Sequence, residues 1–140
     1  MAVQVAWDDS GRVPEKSIIY WTFAGTWNWD EFAEVDEIAY EMSVGMMPAI
    51  IDVIVDMTGS GRTPFTGAIG YFTRSLRRNP SNRGIVVIVG ARGVLRSLEA
   101  ILRRLNPKTS QAYLLVATLE EAYHLIEERR QQRSPDKSLT

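Results

Sequence analysis

Residues 56–67 read Asp-Met-Thr-Gly-Ser-Gly-Arg-Thr-Pro-Phe-Thr-Gly, the stretch best equipped to do more than hold a fold. Hydroxyls, glycines and an arginine between an apolar run and a helically spaced segment are the ingredients of a phosphate cradle. A P-loop, however, needs a lysine after its last glycine, and none is here. Gly59-Ser60-Gly61-Arg62-Thr63-Pro64 begins like a dinucleotide fingerprint, but Pro64 stands where the third glycine belongs. What remains is generic. Gly59 and Gly61 permit unusual backbone angles, Arg62 can pair with an anion, and a helix N-terminus follows. The stretch lies just beyond the carboxyl end of an apolar strand, where open α/β sheets bind ligands. Two readings stay open: a connecting turn, or a site for an anion or a partner.

Other chemistry is sparse. The chain has no cysteine, which removes disulfides, thiolate metal sites and cysteine nucleophiles. Its one histidine, His124, sits in Ala122-Tyr123-His124-Leu125-Ile126-Glu127 without a nucleophile nearby, as a surface residue on a helix would. Asp52 and Asp56 point to one face of a strand, but four residues of strand rise separate them by about 13 Å, too far for a tight carboxylate pair. No catalytic constellation, metal site or cofactor motif emerges, so the chain reads as a non-enzyme without a cofactor.

The 140 residues fit one domain, expected over 1–130 with a flexible polar tail at 131–140. An apolar fraction of 45% and a charged fraction of 24% are ordinary for a soluble globular protein. No apolar run matches a membrane span and the first residues lack signal-peptide character, so the expected place is the cytoplasm. Net charge is −1, yet it is unevenly spread. Between Ser17 and Gly61 there are no basic residues beside Asp30, Glu31, Glu34, Asp36, Glu37, Glu41, Asp52 and Asp56. Between Arg62 and Lys108 only Glu99 opposes Arg62, Arg74, Arg77, Arg78, Arg83, Arg92, Arg96, Arg103, Arg104 and Lys108. This pattern suits either two helix faces that complement each other or a charged docking surface. A nucleic-acid groove is disfavoured, because few aromatics interleave the basic stretch.

The elements that position these residues follow from periodicity. Val3 to Trp7 alternates as an edge strand, and Ile18 to Phe23 is a β-branched and aromatic strand hairpin-paired with it. Asn28 caps a helix with Glu31 at its third position, and Trp27 with Phe32 forms a hydrophobic staple. Phe32, Val35, Ala39, Met42 and Met46 make its buried stripe, and Pro48 stops it. Ala49 to Met57 is apolar enough for a strand buried on both faces. Thr63 as N-cap and Pro64 at the first helical position open a second helix whose inner face carries Phe65, Ala68, Ile69, Phe72 and Leu76. Gly84 to Gly90 is another buried strand, Arg92 to Leu105 a helix with Leu95, Leu98, Leu102 and Leu105 inward, and Ala112 to Ala117 the last strand. Thr118-Leu119-Glu120-Glu121 is a capping box for a final helix toward Arg130. The order β-β-α-β-α-β-α-β-α predicts an α/β fold with a mostly parallel central sheet, an N-terminal hairpin or edge strand and about four helices.

This order and its punctuation resemble the STAS domain, the fold of bacterial anti-sigma-factor antagonists. Three features carry the resemblance across roughly Ile18 to Arg130: Asp56-Met57-Thr58 at a strand end, the hydroxyl-glycine pair Thr66-Gly67 at a helix entry, and Thr118-Leu119-Glu120-Glu121-Ala122 before the last helix. The resemblance implies a regulatory, partner-switching interaction domain whose partner is an anti-sigma or kinase-like protein. By position it makes Thr66 the phosphorylated hydroxyl. The family's Asp-Ser-Ser-Gly is Pro64-Phe65-Thr66-Gly67 in this chain. Partner or anion contacts then fall to Thr58, Ser60, Arg62, Thr63, Gly67 and Arg74, on the loop and the helix after it. Gly25 followed by a capped, acidic helix start also resembles the CRAL-TRIO-like lipid-binding relatives of this topology. That likeness implies the alternative, a carrier holding a small apolar ligand between the first helix and the sheet. The sequence specifies no oligomeric state.

Overall fold

The computed structural model of the chain describes residues 2–64, 66–93, 96–97, 100, 103–104 and 113–133. The loop between the first two apolar runs is too short for a crossover, so it can only return the chain antiparallel. Accordingly β1 (Val3–Trp7) pairs antiparallel with β2 (Ile18–Gly25), Val5 opposite Trp21. The longer connections allow parallel pairing. β3 (Ile51–Ser60) lies along β2, β4 (Arg83–Val89) along β3, and β5 (Tyr113–Val116) along β4. The strand order is β1-β2-β3-β4-β5. The sheet is therefore mixed, where the sequence predicts a mostly parallel one.

Three helices are described: α1 (Trp29–Val44), α2 (Ala68–Arg77) and α3 (Leu119–Arg133). The sequence predicts a fourth over 92–105. Arg96, Ser97, Ala100, Arg103 and Arg104 there are helical, while Leu95, Leu98, Leu102 and Leu105 lie outside the described residues, as does Phe65. No helix among the described residues is long and apolar enough to cross a membrane.

Each crossover moves one strand further in the same direction, so crossovers of one hand place α1 and α2 on the same face. There Val35, Ala39 and Ala68 pack on Trp21, Phe23, Val53, Met57, Val86 and Ile88. On the opposite face Ala122, Tyr123 and Ile126 of α3 cover Ile18, Ile54, Ile85, Val87 and Val89. β3 and β4 are thus buried on both sides, as their near-continuous apolar runs require.

Local capping is as the sequence predicts at two helices. The Asn28 side chain accepts the Glu31 N–H at 2.8 Å, and the Thr118 hydroxyl accepts the Glu121 N–H at 3.2 Å. The Glu31 carboxylate, which a capping box would turn back on Asn28, accepts the N–H of Val3 at 3.0 Å and so ties β1 to α1.

Three local expectations are corrected. Gly59 and Gly61 do not turn the chain: β3 continues through Ser60, with Gly59 paired to Ala24. A Cβ at Gly61 would stand 3.0 Å from the Gly25 carbonyl oxygen, so these glycines allow strands to approach closely. Next, α2 begins at Ala68 rather than at Pro64. The Trp29 indole donates to the Pro64 carbonyl at 2.8 Å, and Gly67 takes φ +83°, which no right-handed helix contains. Ile69 is consequently 54% exposed instead of facing inward; the side chains of Phe72 and Leu76 lie outside what is described. Finally, α3 runs beyond Arg130 to Arg133, into the segment expected to be a tail; residues 134–140 lie outside the described residues.

Candidate functional site

Parallel strands bring their carboxyl ends to one edge of the sheet, and that edge collects much of the loop singled out by its sequence. In β3, opposite the end of β4, Asp56 accepts from both the N–H (3.0 Å) and the hydroxyl (2.6 Å) of Thr58, and from the Tyr20 hydroxyl at 2.6 Å. Burial alone would push the Asp56 carboxyl up, but these hydrogen bonds outweigh it and hold its pKa below the usual carboxylate value. Burial and the same carboxylate raise the Tyr20 phenol. Both oxygens of Asp56 are thereby engaged within the fold.

Ser60 is buried and committed: its hydroxyl accepts the Trp27 indole N–H at 2.8 Å and donates to the Gly61 carbonyl at 2.8 Å. The next residues open into a depression of about 270 Å³ lined by Ser60, Gly61, Arg62, Thr63 and, from beyond β4, Gly90, Arg92 and Gly93, with Met57 at its base. Arg92 is held there by a 3.2 Å hydrogen bond from Nη2 to the Ser60 carbonyl. Thr58 stands on the neighbouring depression, which Arg92 shares with Arg96, Ala117 and Glu121. The structure thus unites Ser60, Arg62 and Thr63 and sets Thr58 beside them. Arg92 joins them, although the sequence pattern shows it only as one member of a basic run.

Thr66, Gly67 and Arg74 sit apart, along α2. Thr66 is exposed just ahead of Gly67, whose carbonyl accepts the Tyr71 N–H at 3.0 Å and starts the helix. The Arg74 guanidinium lies 5.3 Å from the Tyr71 ring centre. Part of the charge asymmetry is internal: Arg78 is paired with Glu37 across α1 and α2 and stacks over Tyr40. Arg62, Arg92 and Arg96 have no carboxylate partner among the described residues.

A second polar centre is structural in character. Asp52 is fully buried on the α3 face of β3 and accepts from Arg130 Nε (2.9 Å), from both terminal nitrogens of Arg133 (2.9 and 2.7 Å) and from the Ile85 N–H (2.9 Å). Burial would raise its pKa; the hydrogen bonds from Arg133, Arg130 and Ile85 prevail and lower it. A Cβ at Gly84 would collide with this cluster. One sequence signal points to it, an aspartate inside a doubly buried strand, which demands a counter-charge.

Between α1, α2 and the sheet lies a partly open apolar cavity of about 60 Å³. Trp21, Phe23, Trp27, Trp29 and Phe32 line it together with aliphatic side chains of β3 and β4, and Asp36, Ser75, Arg83 and Tyr113 add polar groups. Burial raises the Asp36 carboxyl against the lowering influence of Arg83 and a hydrogen bond with Ser75.

No family model matches the chain, and no curated protein matches it by sequence. A solved structure does match: an anti-sigma-factor antagonist (STAS) domain protein from Planctomyces limnophilus. The alignment covers 87% of this chain and 95% of that one, with a TM-score of 0.54 at 13% identity. The fold is STAS-like. At this identity the likeness speaks for the STAS-like architecture, while the roles of the side chains at the sheet edge rest on their own geometry.

Proposed function

We propose that this chain is a non-catalytic, cytoplasmic regulatory domain that docks a protein partner through the C-terminal edge of its sheet and the start of α2. The observation that carries the reading is the set of exposed arginines, Arg62, Arg92 and Arg96, gathered beside Thr58 and Thr63 without carboxylate partners among the described residues. Charges left open at an edge steer an oppositely charged partner and set its register. The internally bonded Asp56 and the exposed His124, 3.5 Å from Glu128 on its own helix, support a non-catalytic role. The STAS-like fold supports the regulatory class.

On this reading the switch is phosphorylation of Thr66 by a kinase-like partner. Its hydroxyl is exposed and adjoins the first turn of α2, where free N–H groups and the helix dipole favour a phosphate. Affinity capture from the native host, with wild type compared against Arg62→Glu and Lys16→Glu, tests the surface. Arg62→Glu should lose the partner. Lys16→Glu, at the opposite end of β2, should keep it. Equal capture by both variants contradicts the docking edge. Phosphopeptide mapping of residues 58–75 tests the switch separately, and consistent absence of phosphate on Thr66 leaves a constitutive docking domain.

The carrier alternative draws on the aromatic cavity. Its room of about 60 Å³ is well below the roughly 300–1,000 Å³ of drug-sized ligand pockets, so in this conformation it admits a molecule of only a few heavy atoms. Native mass spectrometry of the purified protein decides: a carrier arrives with a bound mass, a docking domain without one.

A further inference from the structure

We propose that the depression between residues 60–63 and 90–93 is a binding site for a phosphate-class oxyanion, a phosphate monoester or its inorganic parent. The inference rests on the docking reading for its place and deepens it by naming the chemistry recognised there.

Thr63 decides the matter. It is only 8% exposed and lines the depression, yet its hydroxyl makes no hydrogen bond among the described residues. That hydroxyl is not sealed from solvent, so it is open to an incoming acceptor, whereas its neighbour Ser60 has both its donor and its acceptor used within the fold. An acceptor arriving in the depression satisfies Thr63. The cations supply the rest. Arg92 spends one N–H on the Ser60 carbonyl, which fixes the guanidinium at the rim and leaves its other donors open. Arg62 stands on the same rim without an ion-pair partner among the described residues. Forked guanidinium donors match phosphate oxygens two at a time, and two such charges balance a dianion better than a single carboxylate. No acidic side chain among the described residues lines the depression. At Gly93, φ +56°, nothing among the described residues lies within 4 Å of the place a Cβ would take, so this side of the depression is open.

Gly67 and Arg74 play no part in this site; they lie along α2. Thr66 likewise stays outside it, so the oxyanion recognised is one brought to the chain.

The test titrates the full chain with inorganic phosphate, with a phosphoserine peptide and with the same peptide unphosphorylated, following backbone amide NMR shifts. Saturable shifts at residues 61–63 and 90–93 are expected for phosphate and the phosphopeptide. Thr63→Val, nearly isosteric, should weaken binding about tenfold, and Arg92→Gln should weaken it by at least as much. Unchanged thermal unfolding of Thr63→Val shows that the fold survives. Tighter binding of the phosphopeptide than of inorganic phosphate assigns the oxyanion to a partner's modified side chain. Comparable binding of the two assigns it to a small phosphorylated molecule. An absence of saturable shifts at these amides, or wild-type binding by Thr63→Val, overturns the site. Partner capture that persists in Thr63→Val and is lost in Arg62→Glu shows in that event that the docking edge stands without it.

Discussion

Asp52 accepts four hydrogen bonds from Ile85, Arg130 and Arg133, and its energetics can be worked out from these neighbours. A buried carboxylate that loses its charge strands two arginines against the sheet, and breaking such a pair costs about 3–5 kcal/mol. Asp52→Asn should therefore lower the unfolding free energy by roughly that amount, as measured by urea titration at neutral pH. The pH dependence has a definite sign. Because the folded pKa is depressed, the contribution is complete above the unfolded carboxylate value near ~4 and drains away as pH falls through the lower folded value. Wild type should lose stability between about pH 5 and 3 more steeply than Asp52→Asn, and parallel curves would show that Asp52 does not carry the effect. An aspartate in the run Ile50-Ile51-Asp52-Val53-Ile54 was legible as an anomaly. Its partners were not, because Arg130 and Arg133 lie about eighty positions away in the last turns of a helix, where residues 127–133 are all polar.

At the scale of elements, the same cluster makes the last turn of α3 a fastening for the sheet. A chain ending after residue 133 should unfold at the wild-type urea midpoint, whereas one ending after residue 129 should unfold earlier, having lost both arginines that neutralise Asp52. Equal midpoints would contradict the fastening. The contrast among helix starts shows where sequence reasoning ends. Asn28 and Thr118 announce their helices because a cap is satisfied within three residues of itself. Thr63-Pro64 carries the same local signal, but a tryptophan thirty-five positions away takes the Pro64 carbonyl, and the helix waits for Ala68. Nor does Gly59 announce that it continues a strand, since that follows from pairing with Ala24. Contacts between distant residues override the local pattern in both cases.

For the whole molecule, the succession of buried strands and amphipathic helices made the α/β class and the STAS-like order legible, because burial on both faces leaves continuous apolar runs. The mixed character of the sheet follows from a turn too short to cross over. The candidate edge was legible in half. Ser60, Arg62 and Thr63 belong to one contiguous stretch, while Arg92 and Gly93 reach them only through the alignment of β3 with β4. The account's central claim is that this edge, rather than the α3 face or the β1 edge, meets a partner. Hydrogen–deuterium exchange of the chain, alone and with its captured partner, tests it most directly. Slowed exchange at residues 58–64, 66–70 and 90–93 is the predicted result. Protection confined to α3 or β1, with those three segments unchanged, would contradict it.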